Sequence, residues 1–431
     1  MVKYLSLFVC VSVIGLLLGG LSWVCAEEVD YKVCIVRNDF TKVKLSRYIQ
    51  VLPCESKPSL ARVMRDSVNY PFRQNFQDFL QFPSDKIESA YWVMFKIKNE
   101  DTERKKLLLE LDNPLLGEVE FFETSDKIDA HAHTGSRFDF STRPLNHRNF
   151  VFRVTLLPQE EKVYYLYIYH KGLPAYIPVT LYSAEAFAEA QYLQQLGIGF
   201  VLGFWLFLLG LVIWLRVQVG QGLYGHFAFY LLSLGLWWMA QIGIGEQFLW
   251  YFVLEWGESM AGIWALWNVY FIWRLLYFFA QQQGRLVYLR SLFNIISRIT
   301  FCLVLIGMIL LYFKSTWQYL WLGSLTHFYF NATHIVLLLF TIYGQLRNTQ
   351  ADRHISLILL IGLLLLGAYF YFITPSEAHN PFTTPFTLYA FIAVSLNTFV
   401  VISHRLRILK NEEELAKLVS VTKLKTAQAE Y

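Results

Sequence analysis

The sequence predicts an all-β exported domain, a jelly roll or sandwich, followed by an all-α bundle of seven transmembrane helices. Three observations predict it. The composition is too apolar for a wholly soluble chain: of 431 residues, 55% are hydrophobic, 17% aromatic and only 16% charged, against roughly 25% charged in ordinary globular proteins. The charge is unevenly placed: residues 27–190 are mixed, whereas 193–404 form a series of apolar runs broken by short polar stretches. The mixed part alternates apolar and polar residues with a period of two, the pattern of half-buried strands. A net charge of +4 over this length excludes a nucleic-acid-coating protein, and five cysteines do not make a disulfide scaffold.

Residues 1–26 read as a signal peptide. Lys3 gives a positive start, Tyr4–Leu18 an apolar core, and Val24-Cys25-Ala26 a small-residue site followed by Glu27 and Glu28. A lipoprotein signal modified at Cys25 is the alternative, against which Ser22 stands where a leucine is usually required.

Residues 27–190 form the predicted exported domain. Val93, Phe95 and Ile97 share one strand face, and Trp92, Met94, Lys96 and Lys98 the other. Leu107, Leu109 and Leu111 repeat the pattern. So do Val119 with Phe121, Phe150 with Phe152 and Val154, Val163 with Tyr165 and Tyr167, and Ile177 with Val179 and Leu181. Turns separate them at Asn99-Glu100-Asp101, Asn113-Pro114, Leu157-Pro158 and Gly172-Leu173-Pro174. Cys34 and Cys54 both fall in the oxidising compartment and are expected to pair. The bridge would close a loop of about 20 residues and stabilise by roughly 3 kcal/mol. Two separately buried free thiols are the alternative.

Residues 191–404 contain seven stretches near the about 20 residues that a spanning helix needs: Gln194–Val217, Gly222–Ile244, Ser259–Ala280, Asn294–Phe313, Gln318–Gly344, Ile355–Thr374 and Pro385–His404. Alternate loops hold Arg216, then Arg285 and Arg290, then Arg347 and Arg353, then Arg405, Arg407 and Lys410. The opposite loops hold Glu246, Glu255, Glu258 and Glu377 with Lys314. The positive set is cytoplasmic. The β domain is then outside, and the helical tail 405–431 inside. Within the membrane, His327, Asn331 and His334 lie on one face of the fifth helix at i, i+4 and i+7. They suit a polar relay or metal contact, or ordinary hydrogen bonding between helices. Two histidines alone do not complete a zinc site, and no metal or other cofactor is expected. Gly199 to Gly203 is a GxxxG spacing that permits close helix approach.

Several stretches carry a family resemblance. Arg47-Tyr48-Ile49-Gln50-Val51-Leu52 reads as an opening strand, and Ser59-Leu60-Ala61-Arg62-Val63-Met64 as a short helix. Tyr91-Trp92-Val93-Met94-Phe95-Lys96-Ile97-Lys98-Asn99 is an aromatic-Trp strand ending in Asn. Leu107 to Pro114, Gly117 to Phe122, Arg143-Pro144-Leu145 with Arg148 to Phe152, Tyr164 to Ile168, and Ile177 to Tyr182 follow in order. Together with the helices after Leu196-Gly197-Ile198-Gly199-Phe200, they resemble the seven-transmembrane receptors with diverse intracellular signalling modules (7TMR-DISM), bacterial inner-membrane proteins. The resemblance covers about residues 45–410. It implies an outer domain of carbohydrate-binding-module type, a seven-helix transducer and a cytoplasmic output. Here about 27 residues follow His404, with no recognisable kinase, cyclase or phosphatase domain, so no enzymatic activity is expected.

On that reading, Trp92 on the second sheet face is a candidate to stack on a sugar ring, or a tryptophan packed under a loop. Arg143, Arg148 and Arg153 are candidates to bind an anionic or polyhydroxyl ligand, or to pair with Asp112, Glu118 or Glu120. Expected partners are an extracytoplasmic small molecule or glycan, lipids, a cytoplasmic signalling protein contacting Arg405–Tyr431, and a second copy of the chain. A transporter or membrane enzyme fed by the β domain, and an adhesion or scaffold protein, are the competing functions. The chain has no P-loop, G-x-S-x-G, Cys-x-x-Cys or HExxH.

Overall fold

In a computed structural model, the described residues are 33–54, 57–65, 71–81, 88–123, 132–171, 176–220, 222–250, 257–282, 287–313, parts of 326–336, and 411–422. The signal peptide, the sixth and seventh expected spans, and His327 and Asn331 lie outside them.

Strand follows strand from Cys34 to Ser183. They are β1 (Cys34–Val36), β2 (Lys42–Lys44), β3 (Gln50–Cys54), β4 (Arg73–Gln74), β5 (Leu80–Gln81), β6 (Glu88–Asn99), β7 (Lys105–Leu111), β8 (Glu118–Glu123), β9 (Ala132–Thr134), β10 (Phe150–Leu156), β11 (Glu161–Lys171), β12 (Tyr176–Ile177) and β13 (Val179–Ser183). A short helix α1 (Leu60–Arg65) follows β3. One seven-stranded sheet runs β4-β3-β6-β11-β8-β9, with β1 also on β6; a four-stranded sheet runs β10-β7-β13-β2, and β5 pairs with β12 in a small third sheet. Pairing is antiparallel except for β1 on β6. Residues 47 and 48, expected in the opening strand, form instead a 3-10 turn over Leu45–Tyr48.

The alternation seen in the sequence becomes the core. Val93, Phe95 and Ile97 of β6, Leu107, Leu109 and Leu111 of β7, and Phe150, Phe152 and Val154 of β10 are all buried in one cluster. The two sheets therefore face each other across a shared interior, with Phe121 of β8 stacked on Phe152 of β10 at 5.0 Å. At the strand end, Asn99 is fully buried. Its amide donates to the carbonyls of Glu103 (2.8 Å) and Leu157 (2.9 Å), and its oxygen accepts from the Asp101 N–H (3.0 Å). One side chain thus ties two turns together.

The expected Cys34–Cys54 disulfide is absent, and the register explains why. Cys34 pairs with Ile97 and Cys54 with Ala90, on the same edge of β6. Seven residues of strand separate them by about 23 Å, whereas a disulfide needs Cα atoms within about 7 Å. Both are free thiols. Cys34 faces the core, and burial pushes its pKa up to about 12; Cys54 packs on the outer face beside Trp92.

The helical part begins directly at β13. α2 (Ala184–Val219) starts where the Ser183 hydroxyl accepts from the Ala186 N–H (3.2 Å), and it ends at Gly220 in the left-handed conformation. Its 36 residues make it about 54 Å long, longer than the roughly 30 Å of a hydrocarbon core. α3 (Gly222–Gln241), the short α4 (Ile244–Phe248), α5 (Gly257–Gln282) and α6 (Val287–Tyr312) follow. Among the described residues, two segments, Ala184–Gln218 and Tyr288–Leu310, are long and apolar enough to cross a membrane. α3 and α5 coincide with the second and third expected spans. The bundle packs around Trp205, whose indole lies against Gly235 and donates to the Leu231 carbonyl (2.8 Å). Asn268 of α5 donates to the Tyr230 carbonyl (3.1 Å) and the Ser233 hydroxyl (3.2 Å) of α3. Residues 411–422 are helical and exposed, with Lys417 bonded to Glu413 (2.8 Å).

Candidate functional site at the junction of strands and helices

Two places on the β domain gather polar chemistry. The first is the outer face of the seven-stranded sheet. Trp92 does not stand exposed there: it is 1% accessible, covered by Leu60 and Val63 of α1 and wedged between Phe122 and Tyr167, each 5.4 Å from its ring centre. Strand alternation placed it on the outer face, and α1 then closed that face with its own apolar stripe. Nearby, Glu118, Glu120 and His133 bring donor atoms within 4.8 Å of one another. The Lys57 ammonium lies 2.8 Å from both carboxylates and already supplies a cation to them. Burial alone would lower the Lys57 pKa, but its bonds to Glu118 and Glu120 outweigh that and raise it.

The second place is where the helices meet the β domain, and it is buried. The loop between α3 and α4 enters the β domain with Gly243 at φ 77°. A Cβ there would stand 2.5 Å from Pro114 Cβ and 3.1 Å from the Arg148 carbonyl oxygen, so both conformation and space require glycine. Beside it, Arg143 donates to Glu246 of α4 at 2.5 Å, with side chains only 1% and 9% accessible. The guanidinium is sandwiched between Phe140 (4.6 Å) and Phe150 (4.5 Å) and also donates to the His147 (3.2 Å) and Arg148 carbonyls. Burial pushes the Glu246 carboxyl up, and Arg143 pulls it back. Because a guanidinium keeps its proton at any ordinary pH, protonating Glu246 would strand a buried positive charge. The pair therefore stays ionised. Arg148 donates to the Ile242 carbonyl (3.1 Å) and faces Asp112 at 3.9 Å. Gln247 donates to Asn146 (3.2 Å).

The first turns of α2 make the other half of this contact. The Asn149 N–H donates to His147 Nδ1 (3.1 Å), which leaves the proton of a neutral ring on Nε2, facing Gln191 Oε1 at 2.7 Å. Gln191 Nε2 in turn reaches Glu110 Oε1 at 3.5 Å. Asn149 Nδ2 bridges Glu110 and Asp112, 2.7 Å from each. Burial, then the Asp112 charge, push the Glu110 carboxyl up to about 7, against the pull of Asn149, Arg148 and Gln191. Burial likewise holds His147 below its ordinary value.

Arg143 and Arg148 of the expected ligand set thus turn inward to the helices, whereas Arg153 is exposed on β10 and takes no part. Arg148 does face Asp112, one of the acids considered for it. Of the expected membrane face, His334 is bonded to the Phe330 carbonyl (2.8 Å) and stands against the Tyr230 ring at 6.3 Å. Glu110, His147, Gln191 and the pairing of Glu246 were missed by sequence reasoning. Their only signal was a polar residue on the back of a leucine strand and a glutamine early in an apolar helix.

Residues 56–183 match the family model of the 7TMR-DISM extracellular 2 domain. The β domain belongs to that family. A comparison with curated proteins finds no match. The match begins just before Lys57 and ends at Ser183, the cap of α2. It therefore includes every β-domain residue of the junction. The match to an extracellular domain, with two helices among the described residues long and apolar enough to cross a membrane, supports a membrane protein with an extracellular N-terminal domain.

Proposed function

We propose that this 7TMR-DISM protein is a multi-pass bacterial receptor of the inner membrane. On this reading the chain loses a signal peptide at 1–26. Residues 27–190 form a periplasmic jelly-roll sensor, 191–404 seven spanning helices, and 405–431 a cytoplasmic tail. Its ligand is an extracytoplasmic small molecule or glycan. Its output passes to a separate cytoplasmic protein, or to a second protomer, at Arg405–Tyr431; the chain performs no catalysis itself. The observation that carries this reading is the buried polar contact between the extracellular domain and both α2 and the α3–α4 loop. A tethered binding domain that only delivers substrate would not need a guanidinium and a carboxylate buried between it and the helices, because such a pair is costly to desolvate. A coupling device does need two surfaces with discrete arrangements.

The experiment is a ligand screen on the whole protein in nanodiscs, using glycans and small metabolites, read by hydrogen–deuterium exchange. The receptor reading expects a binder that changes protection both at the junction (residues 184–193 and 238–248) and in the tail helix 411–422. A binder that is carried across the bilayer, or that leaves both regions unchanged, would favour the transport or scaffold readings.

A further inference from the structure

We propose that the junction is a proton-operated latch: a proton held by the Glu110–Asp112 carboxylate pair keeps Arg148 on the carbonyl of Ile242 and lets Glu110 stay buried against the start of α2, and its loss releases the helices from the extracellular domain. This rests on the reading of the junction as the coupling contact.

The geometry makes Arg148 the moving part. It lies between an acidic pair of its own domain and a backbone carbonyl of the helical part. The two carboxylates share one amide nitrogen of Asn149, and carboxylates sharing a site resist double ionisation. While Glu110 is neutral, one negative charge on Asp112 faces Arg148, and a donor remains for Ile242. Once Glu110 ionises, two negative charges compete for the same guanidinium. A second full negative charge attracts the guanidinium in a way that the uncharged Ile242 carbonyl cannot match, so Arg148 is drawn off the loop. The released proton leaves through Asp112, whose side chain is 44% exposed.

Among the described residues, the charged and titratable groups around Glu110 are few. Asp112 stands just past the end of β7, and Arg148 approaches from the turn before β10. Tyr182 of β13 hydrogen-bonds it. From α2 the approach is Gln191, which is neutral, with His147 behind it; Glu185 and Glu189 of α2 are exposed. The Arg143–Glu246 pair is a separate, already compensated contact. Signs follow from these surroundings. Glu110 is raised by burial and Asp112, so its contribution to the closed junction is complete below the ordinary carboxylate range and is lost as pH rises through about 7. His147 is held down by burial, so its contribution is present above its ordinary value and is lost as pH falls through its lowered one. Between pH 6 and 8, therefore, Glu110 governs.

The test uses the full chain in nanodiscs, with protons as the only added ligand. Exchange of residues 184–193 and 238–248 is followed from pH 6 to 8 after correction for intrinsic rates. Opening should rise about tenfold over that range, one decade per unit below the Glu110 transition and levelling above it. Glu110→Gln should abolish the rise. Asp112→Asn, at an exposed position, should move the transition to lower pH by removing the neighbouring charge. A flat wild-type profile overturns the latch and leaves the receptor reading standing. A rise that persists in Glu110→Gln overturns it in favour of another group. Should Glu110→Gln fail to fold, Asp112→Asn decides: a lowered transition supports the latch, and an unmoved one overturns it.

Discussion

Arg143 shows how much one buried side chain can hold. Its guanidinium bonds Glu246 across the junction, two carbonyls of its own turn, and two aromatic faces. Removing it leaves Glu246 buried and unpaired, which typically costs about 3–5 kcal/mol. Arg143→Ala should therefore lower the melting temperature of the full chain sharply. Replacing both partners with apolar residues of similar volume should recover most of the loss, so a double-mutant cycle separates pairing from packing. Gly243 is a second such residue. Gly243→Ala meets Pro114 and the Arg148 carbonyl and forces a left-handed backbone on a residue with a Cβ. A loss of about 1–3 kcal/mol is expected, seen as faster exchange at 238–248 with the β core unchanged. Trp92 belongs here too. Because it is interior to the outer-face cluster, Trp92→Ala should cost about 3–5 kcal/mol of domain stability, measured by thermal melting, whatever it does to ligand binding.

At the scale of elements, the register of β6 decides the cysteine chemistry. Cys34 and Cys54 sit on one edge, seven residues apart, so no modest shift brings them together. Reducing agent should leave the melting temperature of the oxidised, purified protein unchanged. A thiol reagent should find both cysteines free after denaturation, with Cys34 protected in the native state by its burial. A melting shift under reduction would contradict the register. The start of α2 is the other decisive element. Ser183 both ends β13 and caps α2, so strand and helix meet with no linker between them. Ser183→Ala should cost about 1 kcal/mol and loosen residues 184–193 first, which amide exchange would register.

For the whole molecule, the consequence is mechanical. α2 begins inside the extracellular domain's contact surface and continues as a helix long and apolar enough to cross a membrane. A change at Glu110, His147 or Gln191 therefore acts on the end of a continuous rod, while Arg143 and Arg148 hold the α3–α4 loop alongside it. Two grips on two helix ends give the domain leverage over their relative position. A flexible linker would give none.

Strand and helix patterns were legible in the sequence because they depend on local periodicity. The alternation of Val93, Phe95 and Ile97 is the core as built, and the expected spans 222–244 and 259–280 fall on α3 and α5. Residue pairing was not legible. Cys34 with Cys54 looked natural by compartment, and Arg143 with Asp112, Glu118 or Glu120 by proximity along the chain. Yet Arg143 found Glu246, 103 residues away, and the cysteines found opposite ends of one strand. The sequence by itself determined an apolar helical half, an alternating β half and the order in which they come. Only the tertiary structure decided that α1 would cover Trp92, and that Arg143 and Arg148 would turn to the α3–α4 loop and α4. The reason is physical: periodicity fixes which face of an element is apolar, whereas the partner of a buried charge is set by register and docking, to which distant parts of the chain contribute equally.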